Sequence, residues 1–419
     1  MTGKRTLSAL LLFLPLTAAA CIWNTGPDGS AKPPQTDDGW ITASVDQVGM
    51  DPRPLVDLLD LVAGTENHLL HSLLIVRRQR LVFEQYWPGV DLDPATLNPV
   101  ERDFDRTTLH YVASVSKSIT SALVGIAIAQ GHIGGVQDRL FSYYPEYAGL
   151  RTDANGRITL EHLLAFSSGY DWNEFLYDFG DTRDSHNQMF AASNPIEYLL
   201  GRPMVSEPGA TFRYNSGDTN LLGEIVRRTT GSATLVDYAE QYLFAPLGIT
   251  SYAWVRFTRA PAVTFASGGA SLRPRDMAKL GVVYLAGGMW NRTRVVPRAW
   301  VEAATRRVTP LVGNYRSVHG YGYNWWLGRS RLRDGSVEYF RASGWGGQEV
   351  FVYPELELVV VFTAGGYYQD PPLNVYDLLE QYVLEALVDV PQQSLGGMDE
   401  PDLVGQVHAA GQRHQPPVW

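Results

Sequence analysis

In the stretch HYVASVSKSITSALVGIAIAQG, residues 110–131, one lysine interrupts a small, apolar run. Lys117 lies three residues after Ser114, between Ser116 and Ser118. The stretch reads as a helix over Ser114 to Gln130, closed by Gly131. Its apolar residues, among them Ile119, Leu123, Val124 and Ile126, fall on nearly all sides, the pattern of a buried helix. Residues three apart share a face, so Ser114 and Lys117 meet at the helix start. Burial penalises the ammonium, and the helix N-terminus adds positive potential. Both push Lys117 below its ordinary value of about 10.4, towards a neutral amine that can accept a proton. A serine hydroxyl becomes a nucleophile when a neighbouring base removes its proton. Ser-x-x-Lys at a buried helix start therefore fits acyl transfer. The same spacing also fits a snorkelling lysine beside an N-cap serine, so the rest of the chain has to decide.

Two further segments bear on that choice. FRYNSGDTNLLGEIV places Tyr214 in a turn rich in Gly, Ser, Asn and Asp, just before a helix. A phenol ionises at about 10; near an ammonium its phenolate becomes accessible as a base. A loop tyrosine packing its ring is the alternative. RASGWGGQEVFVYPELELVVVF sets a glycine cluster at a strand junction, where backbone N–H groups can approach a ligand and stabilise an oxyanion. A β-bulge gives the same pattern.

The elements that must position these residues change character along the chain. SLLIVRRQRLVFEQYW, residues 72–87, reads as a hairpin. Helical signals dominate from 114 to about 265. TLEHLLAFSSG predicts a helix capped at Thr159 and ended at Gly169, and TNLLGEIVRRTTG an amphipathic helix stopped by Gly231. Strands return with YGYNWWLG, with RDGSVEYFRASG, whose Asp334-Gly335 is a turn signal, and with QEVFVYPELELVVVFTAG. The expected fold class is α+β: an antiparallel sheet built from both chain ends, with a mostly helical region inserted between them.

In this order and on this layout, ASVSKSITSALVGIAI, YNSGDTNLLGEI, ASGGASLRPRDMAKLG and SGWGGQEVFVYPELELVVVFT resemble the penicillin-recognising serine hydrolases. The nearest group is the class C β-lactamase-like esterases and amidases, which include the 6-aminohexanoate-dimer hydrolases. The resemblance covers roughly residues 50–385 and implies a β-lactamase/D,D-peptidase-like fold. It further implies that Ser114 is acylated, that Lys117 and Tyr214 share the proton work, and that the N–H groups of Ser114 and Trp345 form the oxyanion hole. Two departures qualify the substrate. Typical β-lactamases carry Tyr-x-Asn, where this chain has Ser216 in third place. They also carry Lys-Thr-Gly on the active-site strand, where this chain has Ser343-Gly344-Trp345-Gly346 with Arg341 nearby. Without that lysine, a lactam carboxylate loses a main anchor. Esters or amides of small neutral or basic compounds are favoured; β-lactams or D-Ala-D-Ala peptides, and a non-catalytic sensor lipoprotein, are the alternatives. Expected substrate contacts are Tyr170, Trp172, Asp181, Ser216, Gly344 and Gly346. The loop SGYDWNEFLYDFGDTRDSHN adds an aromatic wall (Tyr170, Trp172, Phe175, Tyr177, Phe179) with an acidic rim (Asp178, Asp181, Asp184), or else is a solvated loop on a packed aromatic base.

The 419 residues carry a net charge of −10 and no basic run, which argues against nucleic acid as a partner. No H-E-x-x-H or Cys/His cluster occurs, so neither metal nor cofactor is expected. The absence of G-x-S-x-G disfavours an α/β-hydrolase triad. Lys4 and Arg5, the apolar run Leu7 to Leu16 and Ala18-Ala19-Ala20 read as a signal peptide over 1–20. LTAAAC resembles a bacterial lipobox, so Cys21, the sole cysteine, is the expected lipidation site. The expected organisation is a lipid-anchored tether over 21–45, a hydrolase domain over 46–390 with its helical part at 114–265, and a flexible tail over 391–419. The protein is expected outside the cytoplasm, touching the membrane only through that anchor.

Overall fold

The computed structural model describes residues 32–174, 177, 181–310 and 318–390. The expected signal peptide, Cys21 and the 391–419 tail lie outside the described residues, as do Phe175, Asp178 and Phe179.

The hairpin forms as read, with β1 (Leu70–Arg77) and β2 (Arg80–Tyr86) joined through Arg78 and Gln79. Both turn residues have positive φ, 50° and 58°, whose twist matches that of the paired strands. The eight-stranded antiparallel sheet runs Thr309–Pro310, Val318–Tyr321, Trp326–Leu332, Gly335–Gly344, Gln348–Tyr353, Leu358–Ala364, β1, β2. The two chain ends meet where β1 pairs with Leu358–Ala364, Ile75 opposite Val360. Every residue of β1 is buried, because both faces of the sheet are covered.

Among the described residues the α-helices in chain order are α1 (Arg53–Ala63), α2 (Val115–Ala129), α3 (Leu160–Leu164), α4 (Ser185–Ala191), α5 (Pro195–Leu200), α6 (Ser216–Thr230), α7 (Leu235–Ala239), α8 (Pro274–Leu285), α9 (Arg298–Ala304) and α10 (Val375–Leu378). On one face α1 and the segment Val375–Val383 pack Leu55, Leu58, Leu379 and Val383 onto Leu73, Ile75 and Phe362. On the other lie α2 and α8, continuous with the helical region. The helical insertion holds α2 to α7. α3 begins at its Thr159 cap but stops after Leu164, five residues short of Gly169, where Phe166 turns to φ 52°.

Within the span 21–45, expected to be a tether, residues 34–40 are packed against the rest of the chain. Trp40 is buried edge-on against Trp290, with ring centroids 5.0 Å apart. Buried Arg275 donates from Nη1 to Thr36 Oγ1 (2.7 Å) and Asp38 Oδ2 (2.7 Å) and from Nη2 to the Pro34 carbonyl, while Nε and Nη2 hold Glu84. The Pro/Gly composition suggested a loose segment, but one tryptophan and one aspartate are enough to fasten it.

Candidate active site

Helix α2 is buried, yet five of its first seven residues are polar: Ser116, Lys117, Ser118, Thr120 and Ser121. Four of them tie the helix in place. Ser116 Oγ donates to Ala113 O (2.6 Å), Ser118 to Asn324 O (2.6 Å), Thr120 to Ala266 O (2.8 Å) and Ser121 to Tyr323 O (2.7 Å). Each hydroxyl satisfies a backbone carbonyl that burial would otherwise leave costly. The fifth is Lys117. Ser114 occupies the N-cap position of α2, preceded by Ala113 at φ 45°, a left-handed value that costs a non-glycine residue energy and marks a constrained turn.

Lys117 is 2% exposed, and its Nζ donates to Ser114 Oγ (2.8 Å) and to the Ser267 carbonyl (2.7 Å). Burial pulls the amine down to about 8, against an opposing pull from the Glu174 carboxylate. At that value a substantial fraction is neutral near physiological pH and can accept the Ser114 proton. The Tyr214 hydroxyl shares a hydrogen bond with Ser114, and Lys117 Nζ lies 4.9 Å from the centre of its ring. Trp326 stacks on that ring (5.8 Å) and Phe166 meets it edge-on (4.9 Å). Burial, with Glu174 adding, raises the Tyr214 phenol well above its usual value, although Ser114 and Arg341 oppose the shift. Burial thus works against the phenolate that the sequence reading considered and favours the neutral phenol.

Gly344 explains the glycine cluster. A Cβ there would lie 2.4 Å from Val112 O and 3.2 Å from Ser114 N, so only glycine lets this strand approach the Ser114 turn. Trp345 follows at the strand end, beside the same turn, with its ring against Tyr367 and Tyr368.

These groups open onto a cavity of about 850 Å³. Its wall includes Ser114, Lys117, Tyr214, Ser216, Gly344 and Trp345, together with Tyr177 and Asp184 of the loop that the sequence singled out. Four of the six expected contacts fall elsewhere. Tyr170 is buried in the core with its hydroxyl on Leu200 O, and Trp172 is buried with Nε1 donating to Glu174. Asp181 turns to Arg183 in a surface ion pair at 2.6 Å. The start of their loop is buried in the core at Tyr170 and Trp172, and the loop meets the cavity instead through Glu174, Tyr177 and Asp184. Gly346 lies behind the wall, paired with Gly366, and shapes the loop through φ 91°. Arg341 does line the cavity, but its Nη1 is held 2.6 Å from buried Glu349, which also accepts from Ser343 Oγ (2.7 Å). It is a neutralised cation rather than a free carboxylate anchor.

The sequence reading missed two residues. Asn220, one turn into α6, clamps Ser267 from both sides: Nδ2 donates to Ser267 Oγ (3.0 Å), and Oδ1 accepts from Ser267 N (3.2 Å). That clamp presents the Ser267 carbonyl to Lys117. Glu174 accepts from Ser216 N (2.9 Å), Ser216 Oγ (2.6 Å) and Trp172 Nε1 (2.8 Å). Its position between Asn173 and Phe175 in an aromatic loop was the available signal, but nothing local marks it as turned inward. Among the described residues no group of three potential metal ligands occurs.

Known proteins resemble this chain in sequence and in fold. The family model described as Beta-lactamase matches residues 64–382. The 6-aminohexanoate-dimer hydrolase of Paenarthrobacter ureafaciens is 29% identical over 318 residues, 73% of this chain and 74% of that enzyme. Lovastatin esterase of Penicillium rubens is 26% identical over 191 residues, 42% of this chain and 47% of that enzyme. A solved family VIII carboxylesterase shares the fold with a TM-score of 0.57 at 17% identity, covering 80% of this chain and 98% of that one. With the expected α+β sheet-and-insertion architecture in place, the chain belongs to the beta-lactamase family, as a class C β-lactamase-like serine hydrolase related to esterases and amidases.

Proposed function

We propose that this protein hydrolyses small esters or amides through an acyl-enzyme on Ser114. The observation that carries the reading is the 2.8 Å contact between buried Lys117 Nζ and Ser114 Oγ, at the inner end of an 850 Å³ cavity. Neutral Lys117 takes the hydroxyl proton as Ser114 Oγ adds to the substrate carbonyl. The N–H groups of Ser114 and Trp345 receive the developing oxyanion. Tyr214, a neutral phenol on Ser114, donates its proton to the leaving group and recovers one from the Lys117 ammonium; neutral Lys117 then takes a proton from the attacking water and passes it to Ser114 Oγ as the acid leaves. Ester or amide substrates are favoured over β-lactams because Arg341, the cation on the active-site strand, is already engaged by Glu349. The relatives named for ester and amide hydrolysis support the same choice.

The test is intact mass after incubation with a fluorophosphonate, a p-nitrophenyl ester and a cephalosporin. Wild type gains the phosphonate and the ester's acyl group, and Ser114→Ala gains neither. A stable acyl adduct from the cephalosporin with none from the ester would transfer the reading to penicillin recognition. The sequence alone supports export and anchoring at Cys21; replacing Cys21 by alanine should release the protein from a membrane fraction.

A further inference from the structure

Glu174 is the second feature of this cavity that needs a reason. Its three donors, Ser216 N, Ser216 Oγ and Trp172 Nε1, are all uncharged. Lys117 is in the same position, because Ser114 Oγ and the Ser267 carbonyl solvate it without a counter-charge. A carboxylate and an ammonium thus face one cavity, each hydrogen-bonded to neutral partners. Other titratable groups around them do not cancel the pair. His186 from α4 is held below its ordinary range by burial, and so is neutral. Tyr214, from the turn before α6, and Tyr321, from the strand Val318–Tyr321, are phenols raised by burial. Arg341 from the strand Gly335–Gly344 is paired with Glu349. Asp184 at the start of α4 is raised to about 6 by burial, with Glu174 adding. Arg256 and Asp370 also line the cavity.

We propose that Glu174 is a positioning residue for the Ser114 reaction, fixing the Tyr214–Ser216 turn by hydrogen bonds and setting the charge of Lys117 through space. The inference deepens the Ser114 and Lys117 reading and rests on it. The two duties sit on different properties of one side chain. Holding Ser216 requires acceptors at the right place, whereas biasing Lys117 requires negative charge. Burial alone draws Lys117 down, and Glu174 opposes it, keeping the amine high enough to remain a competent base. The loop carrying Glu174 also lines the cavity, so its seating completes the electrostatics of the nucleophile.

Two substitutions separate these duties. In Glu174→Gln the amide oxygen can stand where Oε2 does, accepting from Ser216 N and Trp172 Nε1, and the amide nitrogen can donate to Ser216 Oγ. The contacts survive and the charge is lost. Glu174→Asp keeps the charge and shortens the reach. The primary readout needs no turnover: the protein has four lysines, so NMR of ¹³Cε-labelled lysine can follow Lys117, assigned by its loss in Lys117→Arg. In wild type the signal should titrate at about 8. In Glu174→Gln it should titrate lower by about one pH unit, and the acid limb of fluorophosphonate labelling should move with it. Glu174→Asp should titrate as wild type but label more slowly. An unchanged Lys117 titration in folded Glu174→Gln would overturn the proposal while leaving Ser114 catalysis standing. Failure of wild type to label at all would instead remove the catalytic reading, whatever the titration shows.

Discussion

Lys117 and Ser114 are joined by one hydrogen bond, and what it does depends on which of them holds the proton. Below about 8 the amine is mostly ammonium and donates to Ser114 Oγ; above it, the neutral amine can accept instead. Ester turnover should therefore rise with pH through that value and level off, since only the neutral form can take the hydroxyl proton. Lys117→Met retains much of the buried volume but has no proton acceptor, and its kcat/KM should fall by about 10²- to 10⁴-fold across the whole range. Initial rates on a p-nitrophenyl ester from pH 6 to 9.5 check both statements. A Lys117→Met profile that keeps the wild-type limb would assign the proton work to another group. Tyr214 is the obvious alternative, but its buried phenol is raised rather than lowered, which suits donation to a leaving group better than abstraction.

At the scale of elements, the site depends on how closely α2 is packed. Gly125 faces α9, where an added Cβ would lie 2.2 Å from the Trp300 ring. Glycine in a helix interior normally costs stability relative to alanine, but here the missing Cβ is what lets the two helices meet. Gly125→Ala should destabilise the protein by about 1–3 kcal/mol, the usual range for overpacking a core, read as a lower midpoint in urea unfolding. A gain in stability would mean that α9 yields easily. This level also separates what the sequence could reveal from what it could not. The apolar circumference of α2, the Arg78-Gln79 hairpin and the strands from 335 to 364 were legible, because local pattern sets their period and their turns. The Ser114–Lys117 contact was legible because residues three apart on a helix share a face, whereas Tyr214, 100 residues further along, was brought to them only by the family resemblance of its motif. Glu174 and the burial of Tyr170 and Trp172 were not. A loop's inward and outward positions follow no period, and the side each residue takes was decided by Ser216 and Leu200, 42 and 30 residues away.

At the scale of the whole molecule, the two chain ends close the sheet beside a buried histidine pair. His71, at the start of β1, places Nδ1 2.7 Å from His110 Nε2, and His110 Nδ1 is 2.9 Å from the Tyr111 carbonyl. A carbonyl only accepts, so His110 carries its proton on Nδ1 and His71 must donate from its own Nδ1. That leaves His71 Nε2 without a partner, enclosed by Gly89 and Gly365, where added Cβ atoms would sit 2.4 and 2.9 Å from it. Phe104 stacks on the ring at 4.3 Å. Asp91, an acid 3.9 Å from His110 Nδ1, is already occupied by Tyr367, Tyr111 N and Leu92 N, and Arg102 lies 3.9 Å from it. Burial, with the neighbouring His110 and His68 adding, lowers His71 to about 2. The unfolded chain takes up this proton near pH 6.5, whereas the folded state excludes it until far lower. The contribution to stability is therefore intact above about 6.5 and declines as pH falls below it, by about 1.4 kcal/mol per pH unit. In His71→Asn the side-chain amide can still donate to His110, and no proton needs excluding at this position. Urea midpoints at pH 7.5 and 5.0 should differ less for that variant than for wild type. Equal losses in both would show that acid sensitivity arises elsewhere, and that the junction of the chain ends tolerates a charged His71.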